Sequence, residues 1–466
     1  MADPGPDPVP GAPVPGEVVP AALPAGLDTL VPAHLGRQRW YAGSADPPPG
    51  QVEVVCSGEL ARTGGGAHRL LWALVDGEGA RYQLLIGERP GGEPADFLNG
   101  HEPAVLGARA DRYYYDATLD PELALVLLGV VSGGAESAER VRPVSVEQSN
   151  TSLVYDDRVI VKVFRRLLEG SNPDVEVTTA LHHAGFAHVA APVAHWRRDG
   201  RDLAFAQEFL AGGSEGWALA LTSLRDLYGA AGAGPEEAGG DFSHEASRLG
   251  RMTAEMHLAM ARAFGVDRRV LVERWWPLLV SSISERLERA AYQLGAGAAD
   301  AAPAFVGRLA AVADAGPAIR AHGDYHLGQV MRTDRGWYVL DFEGEPARPL
   351  DERLRLTSPL KDVAGMVRSL QYAARYVLGE RDADELGELE PMAEMWEQHN
   401  RAAFLDGYRS TRGIDTLVPA EAETWDSVLA AFEMDKALYE VAYESAYRPD
   451  WAPIPLAAVS RLLTQG

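Results

Sequence analysis

The chain has 466 residues, of which 46% are apolar and 24% charged, with a net charge of −24 and a single cysteine, Cys56. That length provides for two to four domains with an ample buried core, and the acidity argues against nucleic acid or an anionic membrane surface as a partner. One thiol excludes an intrachain disulfide or a cysteine-rich metal site and fits a reducing, cytoplasmic setting. The longest apolar run, Leu123 to Val131, is about half of what a bilayer span needs, and the start of the chain lacks the basic and uninterrupted apolar regions of a signal peptide.

In chain order, residues 1–26 hold eight prolines and no apolar periodicity, and read as a disordered tail. Residues 27–103 read as a small β-rich cap. Its strand-like runs are Gln51 to Cys56, His68 to Val75 and Arg81 to Ile86, with Gly64-Gly65-Gly66 as a turn. The aromatic and basic stretch Arg37 to Tyr41 in the cap reads as packing between cap and lobe. Residues 104–210 continue with short strands around one helix, Pro173 to Ala184, which has Asn172 or Ser171 as its cap. From residue 211 to 466 the spacing is helical, most clearly over His244 to Phe264, Arg274 to Leu294 and Thr424 to Tyr447. The fold class expected is therefore α+β: two lobes, the first β-rich with a cap, the second helical.

The chemistry concentrates in Ala321-His-Gly-Asp-Tyr-His-Leu-Gly-Gln-Val330, followed by Asp341 at the end of a short apolar strand. Phosphoryl transfer needs a carboxylate to take the proton of the attacking hydroxyl. It also needs a carboxylate to hold Mg²⁺ against the phosphates, and is helped by a neutral oxygen ligand. Asp324, Asp341 and Gln329 supply these three types. Upstream, Glu147 to Ser152 forms a turn of small polar residues whose backbone N–H groups can face phosphate oxygens; Ser149, Asn150, Thr151 and Ser152 are the candidates. The chain has 40 arginines and three lysines, Lys162, Lys361 and Lys436. Lys162 lies in the apolar strand Val159 to Phe164 and needs an anionic partner. Glu176 in the following helix is the natural carboxylate, with Asp174 as the alternative.

These segments carry a resemblance. Residues from about 142 to 380 resemble the aminoglycoside phosphotransferase-like kinases. Within that family the whole chain beyond the proline-rich tail is similar to the actinobacterial maltokinases. The match rests on Arg37-Gln-Arg-Trp-Tyr-Ala-Gly43, Gln148-Ser-Asn-Thr-Ser152, His322 to Gln329, Asp341 to Pro349, Ser358 to Met366, Lys436 to Glu444 and Arg448 to Pro455. The resemblance implies a bilobal, eukaryotic-protein-kinase-like fold, and ATP and Mg²⁺ as cofactors. It also implies transfer of the γ-phosphate to the anomeric hydroxyl of maltose, for α-glucan or glycogen synthesis, beside a trehalose-isomerising enzyme. Gln329 departs from the wider family, where asparagine is the usual ligand.

Lys436, Tyr439, Glu440, Tyr443 and Glu444 fall at helical spacing, so a helix over Met434 to Tyr447 puts all five on one face. Carboxylates, a lysine and aromatic rings are what a disaccharide needs; a surface Lys436–Glu440 pair with half-buried tyrosines is the plainer reading. His326 and Glu343 flank the catalytic carboxylates and are further acceptor candidates. Asp362 is expected to cap its helix and brace the catalytic loop. Glu208, ahead of Gly212-Gly213, marks the hinge, where the backbone would meet adenine. The competing functions are a kinase of the same fold for glucosamine, another aminosugar or an aminoglycoside, and a non-catalytic kinase-like binding module.

Overall fold

The computed structural model describes residues 19–41, 52–144, 150–230, 234–345, 348–382 and 384–464, and the chain divides into two compact units. The first comprises residues up to Glu176 together with Ala190–Ala211. Its larger sheet is built from β1 (Val19–Pro20), β2 (Glu53–Thr63), β3 (His68–Gly77), β4 (Ala80–Pro90), β5 (Val105–Arg109) and β6 (Arg112–Asp116), in the order β1-β2-β3-β4-β6-β5. Two helices accompany it, α1 (Val31–Leu35) and α2 (Pro121–Val131). The second sheet takes β7 (Val141–Pro143), β8 (Asn150–Tyr155), β9 (Val159–Phe164), β11 (Pro192–Arg198) and β12 (Arg201–Glu208), all antiparallel, in the order β11-β12-β9-β8-β7.

The apolar runs of β3 and β4 are almost continuous because both faces of their sheet are covered. Leu71, Ala73, Val75, Leu84 and Ile86 pack with Leu27, Val31 and Leu35 around α1. Their alternates Leu70, Trp72, Leu74 and Leu85 pack with Leu123, Leu127 and Leu128 of α2 and with Leu153, Val161 and Val163 of β8 and β9. Strands of the first and second sheets thus share one core. A short strand, β10 (Arg166–Leu167), pairs with β4. The buried Gln83 amide accepts from Trp72 Nε1 at 2.9 Å and donates to the carbonyls of Phe164 and Leu203 at 3.0 and 2.9 Å, so all its buried polar groups are satisfied.

Three expectations change here. Residues 19–26 do not belong to a disordered tail: Val19 and Pro20 pair with Glu59 and Gly58, and Leu23 packs against the α1 core. The first sheet runs past Pro103 to Asp116, because β6 pairs with β4. Residues 104–210 hold a helix besides the expected one. Asp120 caps α2 by accepting from the amides of Glu122 and Leu123, and Pro121 takes the first helical position, where its missing N–H costs nothing.

The second unit comprises Val177–Val189 and Gly212 onward; the helix α3 (Pro173–His183) begins in the first unit and ends in this one. A small antiparallel sheet of β13 (Ser214–Glu215), β14 (Val330–Thr333) and β15 (Gly336–Val339) sits among helices. These are α4 (Gly216–Gly229), α5 (Ser243–Phe264), α6 (Trp276–Ala290), α7 (Ala296–Ala310), α8 (Leu350–Arg353), α9 (Leu360–Leu378), α10 (Leu386–Arg409), α11 (Ala422–Tyr447) and α12 (Pro453–Thr464). The helical reading from residue 211 onward holds; the segment expected over Arg274 to Leu294 starts in a π-turn over Leu271–Trp275 and continues as α6, which ends at Ala290. Helices α5 and α10 cross through Gly250 and Gly407: a Cβ on Gly250 would strike the carbonyl oxygen of Phe404, and one on Gly407 that of Ser247. Among the described residues no helix is long and apolar enough to cross a membrane.

Candidate active site

In the first unit, Lys162 on β9 stands between Ser152 of β8 and Phe205 of β12. Its ammonium donates to Asp174 Oδ2 at 3.2 Å, the carboxylate given as the alternative to Glu176. Asp174 is buried on the first turn of α3, where its own amide donates to Asn172 Oδ1 at 2.8 Å and the Asn172 amide to Asp202 Oδ2 at 2.7 Å. Asn172, not Ser171, therefore caps α3. Of the turn candidates, Ser149 lies outside the described residues, whereas Asn150, Thr151 and Ser152 open β8. Thr151 Oγ1 accepts from the buried Arg165 at 2.9 Å, and Arg165 donates also to Asp116 at 2.6 Å. Glu208 ends β12, its amide donating to the carbonyl of Ala191 at 2.8 Å.

In the second unit the His322-Gly323-Asp324 loop is fastened from two sides. Asp362, on the first turn of α9 and 1% exposed, accepts from the amides of His322 (2.8 Å) and Gly323 (2.9 Å) and meets His257 Nε2 at 3.1 Å. His257 Nδ1 in turn lies 2.9 Å from the Tyr408 hydroxyl. Burial alone would push the Asp362 carboxyl upward in pKa, but His257, His322 and the Gly323 amide outweigh it and hold it below the ordinary value. It is thus an ionised brace of the loop; the helix-capping half of the expectation for Asp362 is not met, since Pro359 stands at the N-cap of α9 with no side-chain cap and both Asp362 oxygens are taken by the loop amides and His257. The His322 ring donates through Nε2 to the Leu340 carbonyl at 2.9 Å, leaving Nδ1 to face the Asp324 amide at 3.4 Å. That ring ties the loop to the strand end that carries Asp341.

Asp341 follows β15 with φ of 61°, a left-handed conformation that costs a residue with a Cβ about 1–2 kcal/mol. The Gln329 amide nitrogen lies 3.4 Å from Asp341 Oδ2. Gln329 Oε1 accepts no hydrogen bond among the described residues. The amide thus turns its nitrogen toward the carboxylate and leaves its oxygen unused; a carboxylate and an amide oxygen are the hard-oxygen donor types that Mg²⁺ takes, so the chemistry of these two residues fits that ion. His326 receives the Gly328 amide on Nδ1 at 3.0 Å and points Nε2 toward Asp324 Oδ2 at 4.0 Å; burial, opposed by Asp324, lowers its pKa and keeps it neutral.

The helix expected over Met434 to Tyr447 exists as the second half of α11. Lys436 Nζ lies 3.5 Å from Asp324 Oδ1 and 3.2 Å from Glu345 Oε1. Burial would lower the lysine's pKa, but Asp324, Glu345 and Glu440 together raise it above the usual value, so the cation is fixed. Glu345 also accepts from Arg348 Nε at 2.6 Å. Tyr439 and Tyr443 stack at 6.3 Å on the same face. The two other carboxylates are engaged: Glu440 accepts from the buried Arg368, and Glu444 from Arg448 at 2.8 Å. Glu343 offers its backbone carbonyl to Arg353 at 2.9 Å. Sequence reasoning missed Glu345 as the partner of Lys436, and it missed His257 and Tyr408 behind Asp362. Nothing in their local sequence marks His257 or Tyr408, whose role arises only where α5 and α10 meet α9.

A β-rich unit with a strand lysine and a helical unit with two loop carboxylates define a kinase-type phosphotransferase. The chain belongs to the phosphotransferase enzyme family, whose model matches residues 140–398, and residues 34–120 match the maltokinase N-terminal cap domain. It is 28% identical over 355 residues to a glucosamine kinase of Mycolicibacterium smegmatis, covering 72% of this chain and 83% of that protein. To a glucosamine kinase of Streptacidiphilus jiangxiensis it is 27% identical over 417 residues, covering 83% and 87%. A solved glucosamine kinase, in complex with glucosamine, ADP and inorganic phosphate, superposes with a TM-score of 0.63 over 89% of this chain and 94% of that one, at 22% identity. That likeness is one of fold, and the fold is the kinase-like class that the sequence implies.

Proposed function

We propose that this kinase transfers the γ-phosphoryl group of ATP to the anomeric hydroxyl of maltose, giving maltose 1-phosphate for α-glucan synthesis. Asp324 orients the sugar hydroxyl and takes its proton. Asp341 and Gln329 hold Mg²⁺, which supplies charge neutralisation at the phosphates. Lys162, held by Asp174 at 3.2 Å and with Glu176 as the further carboxylate proposed from the same helix, binds phosphate oxygens. The backbone of Asn150 to Ser152, together with Ser149, cradles them, and the segment at Glu208 receives adenine. His326, Glu343, Lys436, Tyr439, Glu440 and Tyr443 form the acceptor side.

The observation that carries the choice of a neutral sugar is the Lys436 ammonium 3.5 Å from Asp324. A cation already beside the base disfavours a second cation there. The cap-domain match over residues 34–120 supports the same reading. Glucosamine as acceptor is the second reading, favoured by the relatives at 27–28% identity. Measuring ADP release with ATP, Mg²⁺ and a panel of sugars separates them. Turnover with maltose and none with glucosamine is expected; the reverse pattern rejects the maltose reading.

A further inference from the structure

Helix α11 carries a row of aromatic residues along the proposed acceptor face. Beyond Lys436, tyrosines recur at 439, 443 and 447, each step of four residues advancing about 6 Å along the axis. The Lys436 ammonium sits 5.3 Å from the Tyr439 ring, Tyr439 stacks on Tyr443 at 6.3 Å with 20° between planes, and Tyr443 meets Tyr447 at 4.9 Å. The row therefore starts at the candidate base and leads away from it. Exposure rises outward: Tyr439 is half-buried, Tyr443 is 42% exposed and Tyr447 73%. None of the three hydroxyls has a hydrogen-bond partner among the described residues. Arg448 backs the row, its guanidinium 5.5 Å from the Tyr443 ring and 5.2 Å from that of Trp451, while it holds Glu444 at 2.8 Å.

We propose that the acceptor site is an open-ended track for an α-glucan chain, so that the enzyme phosphorylates malto-oligosaccharides longer than two units at their reducing end. This rests on the maltose reading above and extends it to a substrate class. Rings with an apolar face and an unused hydroxyl match a pyranose, which offers one apolar face and a rim of hydroxyls. A site closed after the second sugar would bury its outermost ring; here the outermost ring is the most exposed. The chemistry is the same for each length. The anomeric oxygen bonds to the γ-phosphorus, its proton passes to Asp324, the bond from that phosphorus to the bridging oxygen breaks, and the nucleoside diphosphate leaves.

The test compares maltose, maltotriose, maltotetraose and glucosamine as acceptors, with ADP release and product mass as readouts. All three glucans are expected to become monophosphorylated, with kcat/KM for maltotetraose at or above that for maltose. Tyr447→Ala is expected to lower kcat/KM for maltotetraose about three- to tenfold more than for maltose, and Tyr447→Phe, which keeps the ring, to retain the wild-type ratio. Phosphorylation of maltose without maltotriose or maltotetraose overturns the track and leaves the maltose reading standing. An unchanged ratio in Tyr447→Ala overturns it as well. Turnover of glucosamine with no glucan phosphorylated removes the underlying reading instead.

Discussion

Lys436 places its ammonium 3.5 Å from Asp324 and 3.2 Å from Glu345, so the candidate base shares one cation with a second, buried carboxylate. Glu345 takes its other strong contact from Arg348. Lys436→Met removes a charge-assisted contact of about 1.5–3 kcal/mol, and kcat/KM for maltose should fall about 10- to 100-fold. The same variant should gain relative activity toward glucosamine, because the repelling charge is gone. Steady-state kinetics on both sugars checks this, and a uniform loss on both would contradict the role in selecting a neutral acceptor.

Asp362 serves two backbone amides and one histidine from a fully buried position. Asparagine there loses the negative charge and one acceptor oxygen. Breaking such a buried, charge-assisted cluster costs about 3–5 kcal/mol. Asp362→Asn should lower the unfolding midpoint and cut kcat strongly while changing KM for ATP little, because the loop it braces carries Asp324. Chemical denaturation together with kinetics measures both effects.

Gly365 permits α9 to lie against the loop that carries Asp324: a Cβ there would come within 2.5 Å of the Tyr325 carbonyl oxygen. The backbone must give way, and overpacking of this kind costs about 1–3 kcal/mol. Gly365→Ala is expected to reduce kcat by displacing Tyr325 and with it Asp324. Alanine at Gly387, where nothing lies within 4 Å of the added atom, is the control and should behave as wild type.

His34 is buried against the first sheet; burial, reinforced by Arg165 and opposed by Asp116, brings its pKa from 6.5 to about 4. Its folded pKa lies below its unfolded value, so the unfolded chain binds the extra proton first as pH falls. The stability from keeping this ring neutral is fully present above about pH 6.5 and is lost progressively down to about pH 4. It amounts to about 3 kcal/mol. The unfolding free energy of wild type should therefore drop through that window more steeply than that of His34→Gln, as denaturant titrations at stepped pH would show.

The parts legible in the sequence were those where chemistry is written locally. His322-Gly323-Asp324, Gln329 and Asp341 lie within twenty residues, and the structure brings Gln329 to 3.4 Å from Asp341. The helical face from Lys436 to Tyr443 followed from spacing alone. Glu345 escaped notice because Glu343, two residues earlier, offers the same chemistry, and only tertiary packing decides which carboxylate reaches Lys436. Likewise α2 was read as an apolar run, although Asp120-Pro121-Glu122 ahead of it is a helix-start signal. The shared core behind β3 and β4 could not be divided from sequence, since a strand covered on both faces loses the alternation that would assign its residues.

The most direct measurement is of the product itself. Purified enzyme is incubated with ATP, Mg²⁺ and maltose, beside an Asp324→Asn variant, and the phosphorus and proton NMR spectra are recorded. Wild type should yield one phosphate ester coupled to the anomeric proton, in step with ADP, while Asp324→Asn binds ATP with wild-type affinity and forms almost no ester. An ester at any other carbon, or an Asp324→Asn variant that keeps most of its turnover, would contradict Asp324 as the base of an anomeric sugar kinase.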